Sequence, residues 1–231
     1  MQRRNFTSVV FAVGGLWGLL ASPVARAAGI TESDAALGVR AALERGAGVA
    51  VDLLGRRGGF LDNPKVRIPL PGFLNDVAPL LRLTGQQQRI DDLVTAMNRA
   101  AEAAVPQARS LLVNAVKAMS VDDARQILAG GDDSVTQFFA AKTRAPLART
   151  FLPIVTQATE KVALADKYNA VAGKAAALGL LGKDDANLQQ YVTGKTLDGL
   201  YLMIGEEERK IRRDPVATGS AILEKVFGAL R

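Results

Sequence analysis

The chain has 231 residues, with 29 Lys and Arg against 23 Asp and Glu, and it contains neither histidine nor cysteine. The missing cysteine excludes disulfides, thiolate nucleophiles and sulfur-rich metal sites, and the missing histidine excludes the Ser-His-Asp triad and the commonest general base. Carboxylates, Lys, Arg, Tyr and hydroxyls are left for chemistry, and no cofactor is expected.

Residues 1–27 read as an export signal. Arg3 and Arg4 form a basic start, Phe6 to Leu20 is an apolar stretch interrupted by Gly14, Gly15 and Gly18, and Ala25-Arg26-Ala27 supplies the small residues of a cleavage site before Ala28. Arg3-Arg4-Asn5-Phe6 also resembles the core of a twin-arginine signal, so the twin-arginine and general secretory routes both stay open. The apolar stretch is short for a membrane span. The expectation is therefore a periplasmic protein with no transmembrane helix in its mature part, residues 28–231, which would fold as a single domain. Removing Arg3, Arg4 and Arg26 halves the positive excess, and a small balance spread along the chain gives no nucleic-acid footprint. Trp17 leaves with the signal, so stacking platforms are scarce as well.

From there the periodicity is helical almost throughout. Thr31 or Ser33 can cap a helix to about Leu54, ended by Gly55. Residues 55–71 break the pattern with glycines and prolines, and the alternation of Lys65 to Ile68 suggests a short extended piece. A short helix should cover about Phe73 to Leu83. From Gln87 to Met119 the apolar residues follow the stripe of one amphipathic helix, which Pro106 should kink or divide. Ser120 to Asp123 resembles a capping box for a helix to Ala129, stopped by Gly130-Gly131. Asp132 or Asp133 can cap the next helical run to about Val162, punctuated by Pro146 and Pro153. A short helix over about Lys167–Ala177, a long one from Asp185 to Arg213, and a last one capped by Asp214 before Pro215 complete the chain. The pairs Asp132-Asp133 and Asp184-Asp185 are read as helix caps and not as metal ligands. The fold class is all-α, a single orthogonal or bundle-like helical domain.

Six polar residues lie on or beside surfaces that this spacing assigns to the interior. Glu208 shares a face with Leu197, Leu200, Ile204 and Ile211, and Arg212 lies one turn beyond it. Asp198 sits in the apolar run Leu197 to Ile204, so it should be buried and paired, with Arg99 or Asn98 offered as partners. Asn98 and Glu102 lie four apart on one flank of the 87–119 stripe, with Arg109 further along it and Arg99 on the other flank. Ala100, Ala101, Ala103 and Ala104 thin that segment for close helix approach. Asn98, Arg99, Glu102, Asp198, Glu208 and Arg212 are therefore the candidate buried polar network. A satisfied structural network is the expectation, and a catalytic carboxylate is the competing reading.

The segments Met97 to Ala104, Ile127 to Asp133, Tyr191-Val192, Leu197 to Leu200, Glu207-Glu208 through Ile211-Arg212, Asp214-Pro215 and Val226 to Gly228 occur in order. Together they resemble the exported domain-of-unknown-function family numbered 4197, from Gram-negative bacteria, over about residues 30–228. The resemblance implies an exported helical envelope protein and supplies no activity, ligand or catalytic residue. Some members begin as lipoproteins, and the missing cysteine sets this chain apart from them. Three functional classes follow: a non-catalytic envelope protein that binds another envelope protein, a periplasmic carrier for an apolar ligand, and a carboxylate-dependent hydrolase. The first needs the fewest assumptions.

Overall fold

A computed structural model describes residues 32–131, 134–179, 187–214 and 216–218. Among these residues there are eight α-helices and no strand. They are α1 (Glu32–Gly55), α2 (Gly72–Leu83), α3 (Gln87–Ala104), α4 (Ala108–Lys117), α5 (Val121–Ala129), α6 (Ser134–Thr159), α7 (Ala163–Ala177) and α8 (Leu188–Arg213). The fold is all-α, as the periodicity requires. The signal segment, Thr31, the Asp132-Asp133 and Asp184-Asp185 pairs and the last helix beyond Thr218 lie outside the described residues.

The four longest stretches of helical chain form a ring. α8 packs against both α1 and α6, and the α3–α4 pair closes the circle by packing against α6 and α1. Inside the ring lie Val39, Leu43 and Leu54 of α1, Leu93 and Met97 of α3, Leu112 and Val116 of α4, Phe139, Leu147 and Phe151 of α6, and Leu197, Leu200 and Ile204 of α8, all buried. Each such side chain contributes about 1.5–3 kcal/mol on leaving water. Ala100, Ala101 and Ala104 are fully buried too, and their small side chains let α3 approach α6 closely.

Pro106 divides the long stripe as expected. α3 ends at Ala104, one 3-10 turn spans Val105–Gln107, and α4 resumes at Ala108. The break packs on the end of α1, where a Cβ added to Gly55 would lie 2.9 Å from Pro106 Cγ. Beyond α4, Arg40 Nη2 donates to the Met119 carbonyl at 2.6 Å. The capping box of α5 is complete: Asp123 N donates to Ser120 Oγ at 3.0 Å and Ser120 N donates to Asp123 Oδ2 at 2.9 Å.

Several boundaries differ from the sequence reading. Pro146 and Pro153 do not interrupt α6, which runs unbroken for 26 residues. A proline removes one helical donor, and here burial along Phe139, Leu147, Phe151 and Val155 holds the helix together past both. α7 starts at Ala163, ahead of Lys167. α8 starts at Leu188, not Asp185, because two amide side chains serve its first N–H groups. Gln190 N donates to Asn187 Oδ1 at 3.1 Å and Leu188 N donates to Asn169 Oδ1 at 2.8 Å. Lys65 to Ile68 finds no strand partner, and a side-chain amide takes that role at Ile68. Asp214 caps a 3-10 turn over Val216–Thr218, with Ala217 N donating to its Oδ1 at 3.0 Å.

Candidate functional site

The first polar cluster ties α3 to the loop after α1. That loop turns at Gly58, whose φ of +83° suits glycine, and at Gly59, where a Cβ would lie 2.3 Å from the Leu54 carbonyl oxygen. The turn drives Phe60 into the core and leaves two amides needing acceptors. Glu102, 5% exposed, supplies them: Phe60 N and Leu61 N each donate to its Oε1 at 3.1 Å, and Arg99 Nη1 donates to Oε2 at 2.5 Å. Burial pushes the Glu102 carboxyl up, but the Leu61 amide, the Arg99 guanidinium and the Phe60 amide outweigh it and hold the group below the usual glutamate range. One turn earlier, Asn98 acts as a piece of sheet. Ile68 N donates to its Oδ1 at 2.8 Å, and its Nδ2 donates back to the Ile68 carbonyl at 3.0 Å.

A second cluster lies where α5, α6 and α8 meet. Arg212 Nε donates to Glu208 Oε1 at 2.8 Å, while its Nη2 donates to the Ile127 carbonyl at 2.8 Å and to Ser134 Oγ at 3.2 Å. Glu208 is 6% exposed, and its Oε2 is buried without a hydrogen-bond partner of full geometry. Burial pushes the Glu208 carboxyl above the usual range. Arg212, Ser134 and the Val135 amide in the first turn of α6 oppose that shift without cancelling it.

Asp198 belongs to neither cluster. It is exposed, and it accepts a hydrogen bond from Arg144 Nη2 at 2.5 Å, not from Arg99 or Asn98. The apolar run misled because Leu202, one turn after Asp198, is itself 41% exposed; Lys195, Asp198 and Leu202 share the outer face of α8. The six candidate residues thus divide into Asn98–Arg99–Glu102, Glu208–Arg212, and a surface Asp198. Arg109 pairs with Asp52 at the exposed junction of α4 and α1.

Other polar links have no signal in helical spacing. Gln189 Nε2 donates to Thr159 Oγ1 at 3.3 Å and Asn169 Nδ2 donates to Gln189 Oε1 at 2.9 Å, so one chain of amides joins α6, α7 and α8. Thr143 and Tyr201 hydroxyls meet at 2.9 Å between α6 and α8.

The concave surfaces sort by chemistry. Beside Glu208, an apolar slot lined by Val39, Leu43, Val135, Ile204 and Ile211 measures about 10 Å³, the space of about one water. A half-open cleft of about 670 Å³ runs along α6 and α8, with Arg144, Arg149, Lys195 and Asp198 at its edges. A second opening of about 480 Å³, lined by Asp123, Gln126, Ser134 and Lys142, lies between α5 and α6. Among the described residues, no cluster of three acidic side chains is placed to hold a metal, and no helix is long and apolar enough to cross a membrane.

These features define an all-helical domain whose buried carboxylates are engaged by backbone amides and arginines. The family model described as a protein of unknown function, DUF4197, matches residues 29–228, and the chain belongs to that family. Neither the search of curated proteins nor the search of solved structures finds a match.

Proposed function

We propose that the chain is an exported, non-catalytic protein of the bacterial cell envelope that acts by binding another envelope component through its outer surface. The observation that carries this reading is the use made of the buried carboxylates. Glu102 spends Oε1 on the Phe60 and Leu61 amides and Oε2 on Arg99, and Glu208 is committed to Arg212 at the junction of three helices. Acid–base work needs a carboxyl that reaches a substrate proton, and these two face their own fold. The carrier reading asks for an enclosed apolar cavity, typically about 300–1,000 Å³; the apolar slot beside Glu208 offers about 10 Å³, and the roomier cleft of about 670 Å³ along α6 and α8 is half-open with charged residues in its lining.

Osmotic-shock fractionation followed by N-terminal sequencing and native size-exclusion chromatography tests the proposal. The expected result is a periplasmic chain beginning at Ala28 that elutes together with a second component. A cytoplasmic chain retaining Met1, or a processed chain that elutes alone, would contradict it.

A further inference from the structure

The cleft along α6 and α8 carries an inference that deepens this binding role and rests on it only for the cellular setting. We propose that the cleft is a binding site for an anionic group, a phosphate or carboxylate, carried on a partly apolar body.

Charge is the first argument. The cleft is lined by three cations, Arg144 and Arg149 of α6 and Lys195 of α8, and by a single carboxylate, Asp198 of α8. Arg144 is taken up by Asp198 and by the Tyr201 ring beneath it. Arg149 and Lys195 make no ion pair among the described residues; the Lys195 ammonium lies over the Tyr191 ring at 5.8 Å. One cation from α6 and one from α8, both without an ion-pair partner among the described residues, favour an anion between them.

A hydroxyl is the second. Thr143, Thr150, Thr156, Thr159 and Thr196 each donate their hydroxyl to the carbonyl four residues back. Thr193, 5% exposed and lining this cleft, does not, and its Oγ1 is buried without a partner. Leaving a buried hydroxyl unpaired is unfavourable, and threonine in a helix has two accessible rotamers. In its other rotamer the hydroxyl would turn toward the cleft, where a ligand oxygen would supply the missing partner.

Space is the third. Gly194 sits inside α8, where glycine is a poor helix former. Packing explains other glycines of this helix: a Cβ at Gly199 would lie 2.8 Å from Phe60, and one at Gly205 would lie 2.7 Å from Thr136 Oγ1. At Gly194 a Cβ would meet nothing within 4 Å, so packing does not explain this glycine, and the missing side chain leaves that stretch of the cleft open. Leu152 and Leu197 provide apolar wall, and about 670 Å³ is the size of a small-ligand site.

The test is a titration of isotope-labelled full-length mature protein, followed by backbone amide resonances, with octyl phosphate and inorganic phosphate as separate probes. Octyl phosphate should shift Thr193, Gly194, Lys195 and Arg149 saturably, and inorganic phosphate should bind at least about tenfold more weakly. Replacing both cations, Arg149→Gln with Lys195→Gln, should weaken octyl phosphate about tenfold or more. Gly194→Leu, which has room to fold, should abolish binding, and Lys142→Gln outside the cleft should leave it unchanged. Shifts that fail to saturate, that spread equally to Lys142, or that survive the double replacement would overturn the site. Equal affinity for inorganic phosphate would overturn the apolar body. Phosphatidylglycerol vesicles separate the sources: broadening of the same resonances assigns the anion to a membrane headgroup, and octyl phosphate binding without it assigns a free molecule. A chain found in the cytoplasm that still binds octyl phosphate would remove the export proposal and leave this one standing.

Discussion

Replacing Arg212 by alanine removes its donated hydrogen bonds to Glu208 Oε1, the Ile127 carbonyl and Ser134 Oγ. The larger consequence is electrostatic. Glu208, 6% exposed in the intact fold, loses its cation, and breaking a buried pair in this way costs about 3–5 kcal/mol. The Arg212 side chain is 18% exposed, so water entering its place relieves part of that, and the expected loss is about 3 kcal/mol. Glu208→Gln keeps an acceptor for Arg212 and leaves an arginine that water can reach, so it should cost only about 1–2 kcal/mol. Chemical unfolding followed by far-ultraviolet circular dichroism measures both, and alanine replacements of each residue close a double-mutant cycle with coupling of about 1.5 kcal/mol or more. The pH dependence has a defined sign. A carboxyl raised above its unfolded value holds its proton more tightly in the fold, so protonating Glu208 removes the need for a cation, and the Arg212→Ala deficit should shrink as pH falls. Additive effects below about 0.5 kcal/mol would show a surface contact and refute the burial argument.

Glu102 should behave in the opposite sense. Its carboxyl lies below the usual range, so its contribution is present above the unfolded value and is lost as pH falls through the folded one; acid unfolding of Glu102→Gln should be correspondingly flatter. Glu102→Ala should cost about 2–3 kcal/mol by stranding the buried Phe60 amide, read from urea midpoints. Thermal melts should separate two glycines of α8: Gly199→Ala pushes on Phe60 and destabilises by about 1–3 kcal/mol, while Gly194→Ala stabilises by about 1 kcal/mol. Ser120→Ala opens the capping box of α5 and should cost about 1 kcal/mol by the same measurement.

Helical periodicity made most of this fold legible. The division at Pro106, the box at Ser120 and the inward Glu208 all follow from residues within one or two turns of each other. The errors arose where a distant element decides. α8 starts at Leu188 because Asn169, on another helix, serves its first amide. Ile68 pairs with Asn98 because the turn at Gly58 and Gly59 brings that loop onto α3. Around Asp198 a run of apolar neighbours hides which side of the helix lacks a packing partner, and the exposure of Leu202 shows that this side faces solvent. The cleft itself is invisible to spacing. Arg144 and Arg149 come from α6, and Thr193 to Asp198 come from α8, so only the packing of those two helices brings them together.

In the proposed reading the buried carboxylates hold the fold while the outer surface does the binding. Native mass spectrometry of the protein released from its own cells by osmotic shock, recorded for wild type, Glu208→Gln and the Arg149→Gln/Lys195→Gln pair, separates the two roles. The account predicts a mature chain carrying a non-covalent companion in the wild type and in Glu208→Gln, and a bare chain in the paired variant. A companion lost with Glu208→Gln while the fold persists, or retained when Arg149 and Lys195 are both replaced, would contradict it.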